Sequence, residues 1–156
     1  MAPILPLAEA EALLPPRGAL LGLDLGTKTV GVAASDPQRR LAAGVETVPR
    51  RTFRTDAARL LELAADRGVV GFVLGLPLNM DGSEGPRAQS TRAFARNLAK
   101  LTELPIALWD ERLSTAAVER ELIAADASRR KRAAVIDQHA AAYILQGALD
   151  FLNRRR

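Results

Sequence analysis

The chain has 156 residues, of which 48% are hydrophobic and 4% aromatic, so one domain with an aliphatic core is expected. It contains no cysteine, which excludes a disulfide framework and a thiolate metal site. The net charge is a modest +4, but basic residues are clustered, and such clusters suit either a polyanionic partner or a solvated surface. These clusters lie at residues 39–54, at residues 129–132 and at residues 154–156.

Nothing in the sequence predicts an export or membrane segment. The first residues carry neither the basic start nor the long apolar run of a signal peptide, and no stretch approaches the roughly 18 apolar residues of a membrane span. We therefore expect a cytoplasmic protein that makes no membrane contact. Pro15 and Pro16 separate an N-terminal extension, residues 1–18, from a single domain predicted over residues 19–152, and a basic tail follows at residues 153–156.

The domain is predicted to begin with three strands. Residues 19–25 and 29–35 are short and apolar, the second with β-branched and small residues, and the tight turn at residues 26–28 makes them an antiparallel pair. Residues 41–48 form the third strand of this meander, and Pro49 ends it.

Helices and strands alternate after the meander. Apolar residues at helical spacing predict a helix over residues 55–66, and the short apolar run over residues 69–74 is typical of a buried parallel strand. Together with the meander, this order predicts an α/β fold, a mixed five-stranded sheet with helices on both faces. The remaining predicted elements are a loop at 75–86, a helix at 87–101, a strand at 106–110, a helix from Ser114 and a last helix at 134–152.

Four carboxylates stand at positions that suggest a site. Asp24 lies inside the apolar first strand, where burying an unpaired charge is costly. Asp110 and Glu111 end a later strand, and the carboxyl ends of parallel strands share the edge where α/β sheets place their sites. Asp137 opens the apolar stripe of the last helix, where the helix dipole also favours an acid without any site.

Carboxylates that meet at one sheet edge repel each other unless a cation joins them. Oxygen ligands without cysteine, and with a single histidine in the chain, point to Mg²⁺ or Mn²⁺ rather than Zn²⁺. Two such ions about 4 Å apart would activate water and stabilise the leaving oxygen of a phosphodiester. The alternative is that each acid caps a loop or pairs with a nearby arginine.

The turn after Asp24 admits another interpretation, because Asp-x-Gly-Thr between two strands is similar to the phosphate loop of the actin and sugar-kinase superfamily. Those ATP-binding proteins use two domains around a cleft, which 156 residues cannot build. The sequence also lacks a Walker-type GxxxxGK[ST] loop. A nucleotide-binding ATPase is therefore disfavoured.

Four segments are similar to the YqgF family, also called RuvX, of Holliday-junction resolvases and pre-16S rRNA nucleases. The resemblance covers residues 20 to about 151 and implies an RNase H-like fold related to the RuvC resolvases. The implied strand order is 3-2-1-4-5 with strand 2 antiparallel, in agreement with the predicted meander. The matching segments are LLGLDLGTKTVGVAASD at 20–36, GLPLNMDGSEGPRA at 75–88, DERLST at 110–115 and KRAAVIDQHAAAYIL at 131–145.

The resemblance implies a hydrolase acting on ester bonds. It also implies that Asp24, Glu111 and Asp137 are the catalytic acids and that they bind two ions of Mg²⁺ or Mn²⁺. Asp110 is the weaker member of its pair, since neighbours at a strand end face opposite ways. The implied reactions are processing of the 5′ end of pre-16S rRNA in ribosome biogenesis and Holliday-junction resolution in DNA recombination and repair. The alternative is a non-catalytic nucleic-acid-binding ribosome-assembly factor on the same scaffold.

The expected partner is structured RNA or branched DNA, bound through side chains near the acids and before the last helix. A four-way junction has two-fold symmetry, so the resemblance also suggests a homodimer, which no residue of the sequence fixes. Asp81 is expected to fix a turn, whereas Asn79 either fixes the same loop or contacts the nucleic-acid backbone. His139 is assigned no role. The predicted substrate contacts are Lys28, Asn79, Arg112, Arg129, Arg130, Lys131 and Arg132.

Overall fold

The computed structural model describes residues 1–113 and 129–155, and over residues 129–138 it describes the helical backbone without the side chains. The helix predicted from Ser114 therefore lies outside the described residues. No helix in the described part of the chain is both long and apolar enough to cross a membrane.

A six-stranded mixed sheet in the order β1-β6-β5-β2-β3-β4 organises the fold. β3 runs antiparallel to both of its neighbours, and the other pairs are parallel. The predicted α/β class and the order of the five predicted strands are confirmed. The strands are β1 (Ile4–Pro6), β2 (Ala19–Leu25), β3 (Thr29–Ser35), β4 (Ala42–Pro49), β5 (Val69–Leu76) and β6 (Ile106–Asp110).

The predicted count of five strands is wrong, because β1 in the N-terminal extension adds a sixth. β1 pairs with β6 in parallel, with Ile4 opposite Ile106, and so covers an edge that would otherwise be open. Leu7 and Ala10, which follow β1, are buried against the sheet. β1 has three residues and ends in a proline, so it is too short to show the alternation by which strands are recognised, and no local pattern predicted it.

Helices cover both faces of the sheet, as predicted. Over the described residues they are α1 (Leu7–Ala10), α2 (Phe53–Asp66), α3 (Pro86–Ala99) and α4 (Arg129–Arg154). α2 and α3 pack against one face, where Leu60 and Phe94 meet Leu23 of β2. α1 and α4 pack against the other face, where Leu145 meets Leu20 of β2.

The connections that follow the carboxyl ends of β2, β5 and β6 lie at one edge of the sheet, since these strands are parallel. β4 ends at the same edge, because β3 is antiparallel to both β2 and β4. α2 begins there too, with the Thr52 side chain accepting the Thr55 amide at 3.2 Å as an N-cap. This edge, called the carboxyl edge below, carries the residues predicted to form the site.

Candidate active site

Asp24 is the penultimate residue of β2 and is 5% exposed. Side chains along a strand alternate between its faces. Leu20 packs in the core under α4, and a Cβ on Gly22 would meet Leu145 of α4, whereas Leu23 packs on the opposite face. Asp24 therefore shares the face of the sheet that α4 covers, on a central strand held by β5 and β3.

Glu111 begins a 3₁₀ turn directly after β6 and folds over β5. Its Cγ lies 3.0 Å from the point where Gly75 would carry a Cβ atom, and Cδ1 of Ile144 lies 2.8 Å from the same point. Glu111 therefore lies on the face that α4 covers, in space that any side chain at Gly75 would occupy.

The strand register brings the two acids to neighbouring positions. β2 and β5 pair Leu23 with Leu74, so one further step sets Asp24 beside Gly75. Neighbouring strands are about 4.8 Å apart. Asp24 and the side chain of Glu111, which covers Gly75, thus lie on one face at the carboxyl edge. The carboxylate oxygens of the pair are hard ligands, which fit the chemistry of Mg²⁺ or Mn²⁺.

The third predicted acid is described only by its backbone. Asp137 lies in α4 one turn, about 5.4 Å, before Ala141, whose carbonyl oxygen approaches Gly22. The carboxyl half of α4 reaches the other end of the sheet, where Asn153 donates to the Arg39 carbonyl at 3.0 Å. The amino half of α4 therefore extends toward the Asp24 edge.

The side chain of Asp137 lies outside the described residues, and its meeting with Asp24 and Glu111 stays a prediction. Within the described residues, no group of three or more histidine, aspartate or glutamate residues could hold a metal ion. The side chains of Arg129, Arg130, Lys131 and Arg132 are likewise outside them. Their backbone begins α4 rather than preceding it, because arginine and lysine are good helix formers.

Asp110 has a structural partner in the same turn. Its carboxylate accepts the Arg112 backbone N–H at 2.9 Å and Nη2 of the Arg112 guanidinium at 2.7 Å. These hydrogen bonds from Arg112 hold the pKa of Asp110 below its ordinary value. Arg112 also donates from Nη1 to the Met80 carbonyl at 3.1 Å. Arg112 thus ties the end of β6 to the loop after β5, and its predicted substrate contact stays a prediction.

The loop after β5 is fastened by its own polar side chains. Asp81 accepts the Ser83 amide at 2.9 Å and the Ser83 hydroxyl at 2.6 Å, and these bonds lower the pKa of Asp81. Asn79 donates from Nδ2 to the Ser83 hydroxyl at 2.9 Å. Gly82 has φ +88°, a left-handed conformation that suits glycine. In this structure Asp81 and Asn79 both stabilise the loop, and the substrate contact predicted for Asn79 stays a prediction.

Two arginines beside the site were not predicted as site residues. Nη1 of Arg50 donates to the Gly26 carbonyl at 2.6 Å, and Nη2 of Arg87 approaches the Leu25 carbonyl at 3.5 Å. Lys28 is exposed at the tip of the same turn. Arg50 could have been found from the predicted meander, because β3 pairs Thr29 with Pro49 and so brings Arg50 back to the turn. Arg87 offered no comparable signal.

Comparison with solved structures defines the class of fold. The structure of Thermus thermophilus RuvC in complex with a Holliday junction substrate matches with a TM-score of 0.52 and 12% identity, over 88% of this chain and 96% of that chain. A second structure of Thermus thermophilus RuvC matches with the same TM-score and 13% identity. The fold is therefore RNase H-like, of the RuvC kind.

Sequence comparison then fixes the family. The family model described as "RuvX: Holliday junction resolvase" matches residues 18–151, and the chain belongs to the RuvX family. A relative from Rhodopseudomonas palustris (strain BisA53), named "Putative pre-16S rRNA nuclease", is 79% identical over 97% of this chain and 93% of its own length. A relative of the same name from Bradyrhizobium sp. (strain ORS 278) is 76% identical over 99% of this chain and 96% of its own length.

Proposed function

We propose that the protein is a metal-dependent nuclease that hydrolyses phosphodiester bonds in structured nucleic acid. The observation that carries the proposal is the neighbouring placement of Asp24 and Glu111 on one face of a RuvC-like sheet, at its carboxyl edge. The names of the relatives and of the family support the same class of hydrolase.

The metal ligands in this proposal are Asp24, Glu111 and Asp137, a set of hard oxygen donors suited to Mg²⁺ or Mn²⁺. When bound there, two such ions supply an activated water and stabilise the developing charge on the leaving oxygen. The chain itself contributes rigidity. Asp24 is held in a central strand, and Glu111 packs over Gly75 of β5, where Ile144 also packs, so little ordering of either acid is needed on binding.

The substrate that we favour is a precursor of 16S ribosomal RNA, cleaved near its 5′ end in the cytoplasm. The support is the name shared by relatives that match nearly the whole chain at 76–79% identity. The description of the family favours a four-way DNA junction as the second substrate. Cleavage of such a junction requires two cuts related by two-fold symmetry, so a homodimer belongs to this second form of the proposal.

Cleavage assays test the proposal directly. We expect wild-type protein with Mg²⁺ or Mn²⁺ to cut a pre-16S rRNA fragment, a four-way junction, or both, and EDTA to stop the reaction. Asp24→Asn removes the charge with little change in shape and should abolish cleavage while the protein stays folded. Equal cleavage by Asp24→Asn and wild type would refute the role of the acids. Tight binding of both substrates without turnover in any metal would instead identify a non-catalytic assembly factor.

A further inference from the structure

Two guanidinium groups approach the turn after Asp24 from different elements. Arg50 follows β4 and donates to the Gly26 carbonyl at 2.6 Å, whereas Arg87 lies in the first turn of α3 and reaches the Leu25 carbonyl at 3.5 Å. Leu25 and Gly26 are the two residues that directly follow Asp24. Both guanidinium groups therefore lie at the carboxyl edge, at the turn that follows the candidate catalytic acid.

Packing against α3 holds Arg50 in place, whereas Arg87 is exposed on that helix. The Cζ atom of Arg50 lies 5.9 Å from the ring centroid of Phe94, in a cation–π arrangement. Phe94 is buried and makes an edge-to-face contact with Phe53 at 5.4 Å between centroids. Arg87 lies two turns before Phe94 on α3, so one helix carries both Arg87 and the ring on which Arg50 packs. This preorganisation lowers the entropy that a ligand contact would cost.

Within the described part of the chain, no carboxylate is paired with the charges of this group. Among the described residues, no aspartate or glutamate forms an ion pair with Lys28, Arg50 or Arg87. The two arginine side chains donate their hydrogen bonds to backbone carbonyls. A carbonyl occupies a donor but leaves the cationic charge in place, and a guanidinium offers several donors in a planar fork. Some other arginines of the fold do form ion pairs, among them Arg59 with Glu46, Arg92 with Glu84 and Arg112 with Asp110.

We propose that Arg50 and Arg87, with Lys28 at the tip of the turn, form a binding site for a backbone phosphate of the nucleic acid, next to the phosphodiester that is cleaved. The site rests on the proposed function for its ligand, but it binds phosphate without any metal or turnover. The ligand chemistry is a phosphodiester group shared by RNA and DNA, so the group positions the strand and does not select sequence.

Binding in the absence of cleavage tests this site. The protein used is the full chain carrying Asp24→Asn, in EDTA, with fluorescently labelled probes: a four-way DNA junction and a stem from a pre-16S rRNA fragment. The variants are Arg50→Gln and Arg87→Gln. Arg67→Gln is the matched control, because Arg67 is exposed and follows α2 at the opposite edge of the sheet.

Each variant is expected to make the slope of log affinity against log salt shallower by roughly 0.9. The affinity that the variant loses relative to its parent should therefore be about eightfold larger at 0.1 M salt than at 1 M salt. Arg67→Gln should leave slope and affinity unchanged. A loss confined to one probe would support the site and identify that nucleic acid as its ligand. If Arg87→Gln binds both probes with the affinity and the salt slope of its Asp24→Asn parent, the proposal is overturned.

Two further measurements separate this site from other causes. Arg50→Gln removes a support of the turn, so if its thermal unfolding midpoint falls, Arg87→Gln decides alone. Arg87→Lys keeps the charge and should recover most of the affinity, which a purely structural role of the guanidinium fork would not allow. If wild type cuts neither probe with Mg²⁺ or Mn²⁺ and the variants still lose binding, the phosphate site stands and the nuclease proposal falls.

Discussion

The substitution Gly75→Ala perturbs the candidate site and the core at one point. An added Cβ would lie 2.8 Å from Cδ1 of Ile144 and 3.0 Å from Cγ of Glu111. Carbon atoms ordinarily pack at about 3.5–4.0 Å, so both side chains must move. Overpacking a core costs about 1–3 kcal/mol, and restricting the unfolded chain offsets about 0.4–1 kcal/mol. We expect the free energy of unfolding to fall by about 1–2 kcal/mol.

The rate of cleavage should fall by a larger factor than the folded fraction of the protein. Cγ of Glu111 is bonded directly to Cδ, the carboxylate carbon, so a shift at Cγ displaces the carboxylate from its place beside Asp24. The effect is measured as single-turnover cleavage of the preferred substrate at saturating Mg²⁺, with urea unfolding of the same variant. Because most of the variant remains folded, a loss of rate reports on the site and not on the folded fraction.

A second substitution separates the two contacts. Ile144→Val removes Cδ1, the closer of the two crowded atoms, and alone costs about 0.5–1.5 kcal/mol. In the Gly75→Ala background it should restore part of the stability and none of the cleavage, because Glu111 stays crowded. The reasoning is refuted if Gly75→Ala has wild-type stability and rate, or if the double variant recovers both.

Three other predictions concern residues outside the candidate acids. Ser35→Ala removes the hydroxyl that accepts the buried Leu20 amide of β2 at 2.9 Å. The free energy of unfolding measured in urea should fall by about 1–2 kcal/mol while the cleavage rate stays unchanged. An unchanged unfolding curve would contradict this prediction. Hydrogen bonds from Arg59 lower the pKa of Glu46, so this pair stabilises above the ordinary value of 4.5 and the stabilisation is lost as the pH falls below it. Glu46→Gln should therefore cost about 0.5 kcal/mol at pH 7 and less as the pH falls through the lowered pKa of Glu46, and a cost independent of pH would be inconsistent with the ion pair. Arg112→Ala should accelerate hydrogen exchange of the Gly82 amide, which bonds within the loop that Arg112 fastens, and unchanged exchange would mean that the loop holds itself.

The five predicted strands followed from the residues because the meander and the later alternation each leave a strong local pattern, whereas their order in the sheet was implied by the family resemblance. Asp24 was recognised for the same reason, as a charge inside an apolar strand. The sequence was less informative about which elements that lie far apart in the chain pack together. β1 has three residues, too few for a period, and its assignment depends on pairing with β6 more than a hundred residues away.

Gly75 shows the same limit at the site. Its position in an apolar run gives no sign that Glu111 and Ile144 fill the space above it, because that depends on the register of two strands and on the docking of α4. Asp110 and Glu111 are adjacent in sequence, yet Asp110 is held by Arg112 whereas Glu111 covers β5. Strand alternation allows only one of the two to face the site, the family resemblance favoured Glu111, and the observed partners of Asp110 are compatible with that choice.

The most direct test of the central claim is a crystal structure of the protein grown or soaked with Mn²⁺, with the ions located by their anomalous scattering. We predict manganese peaks bound by the carboxylates of Asp24, Glu111 and Asp137. If the three carboxylates lie more than about 8 Å apart with no ion between them, the metal-dependent mechanism is contradicted.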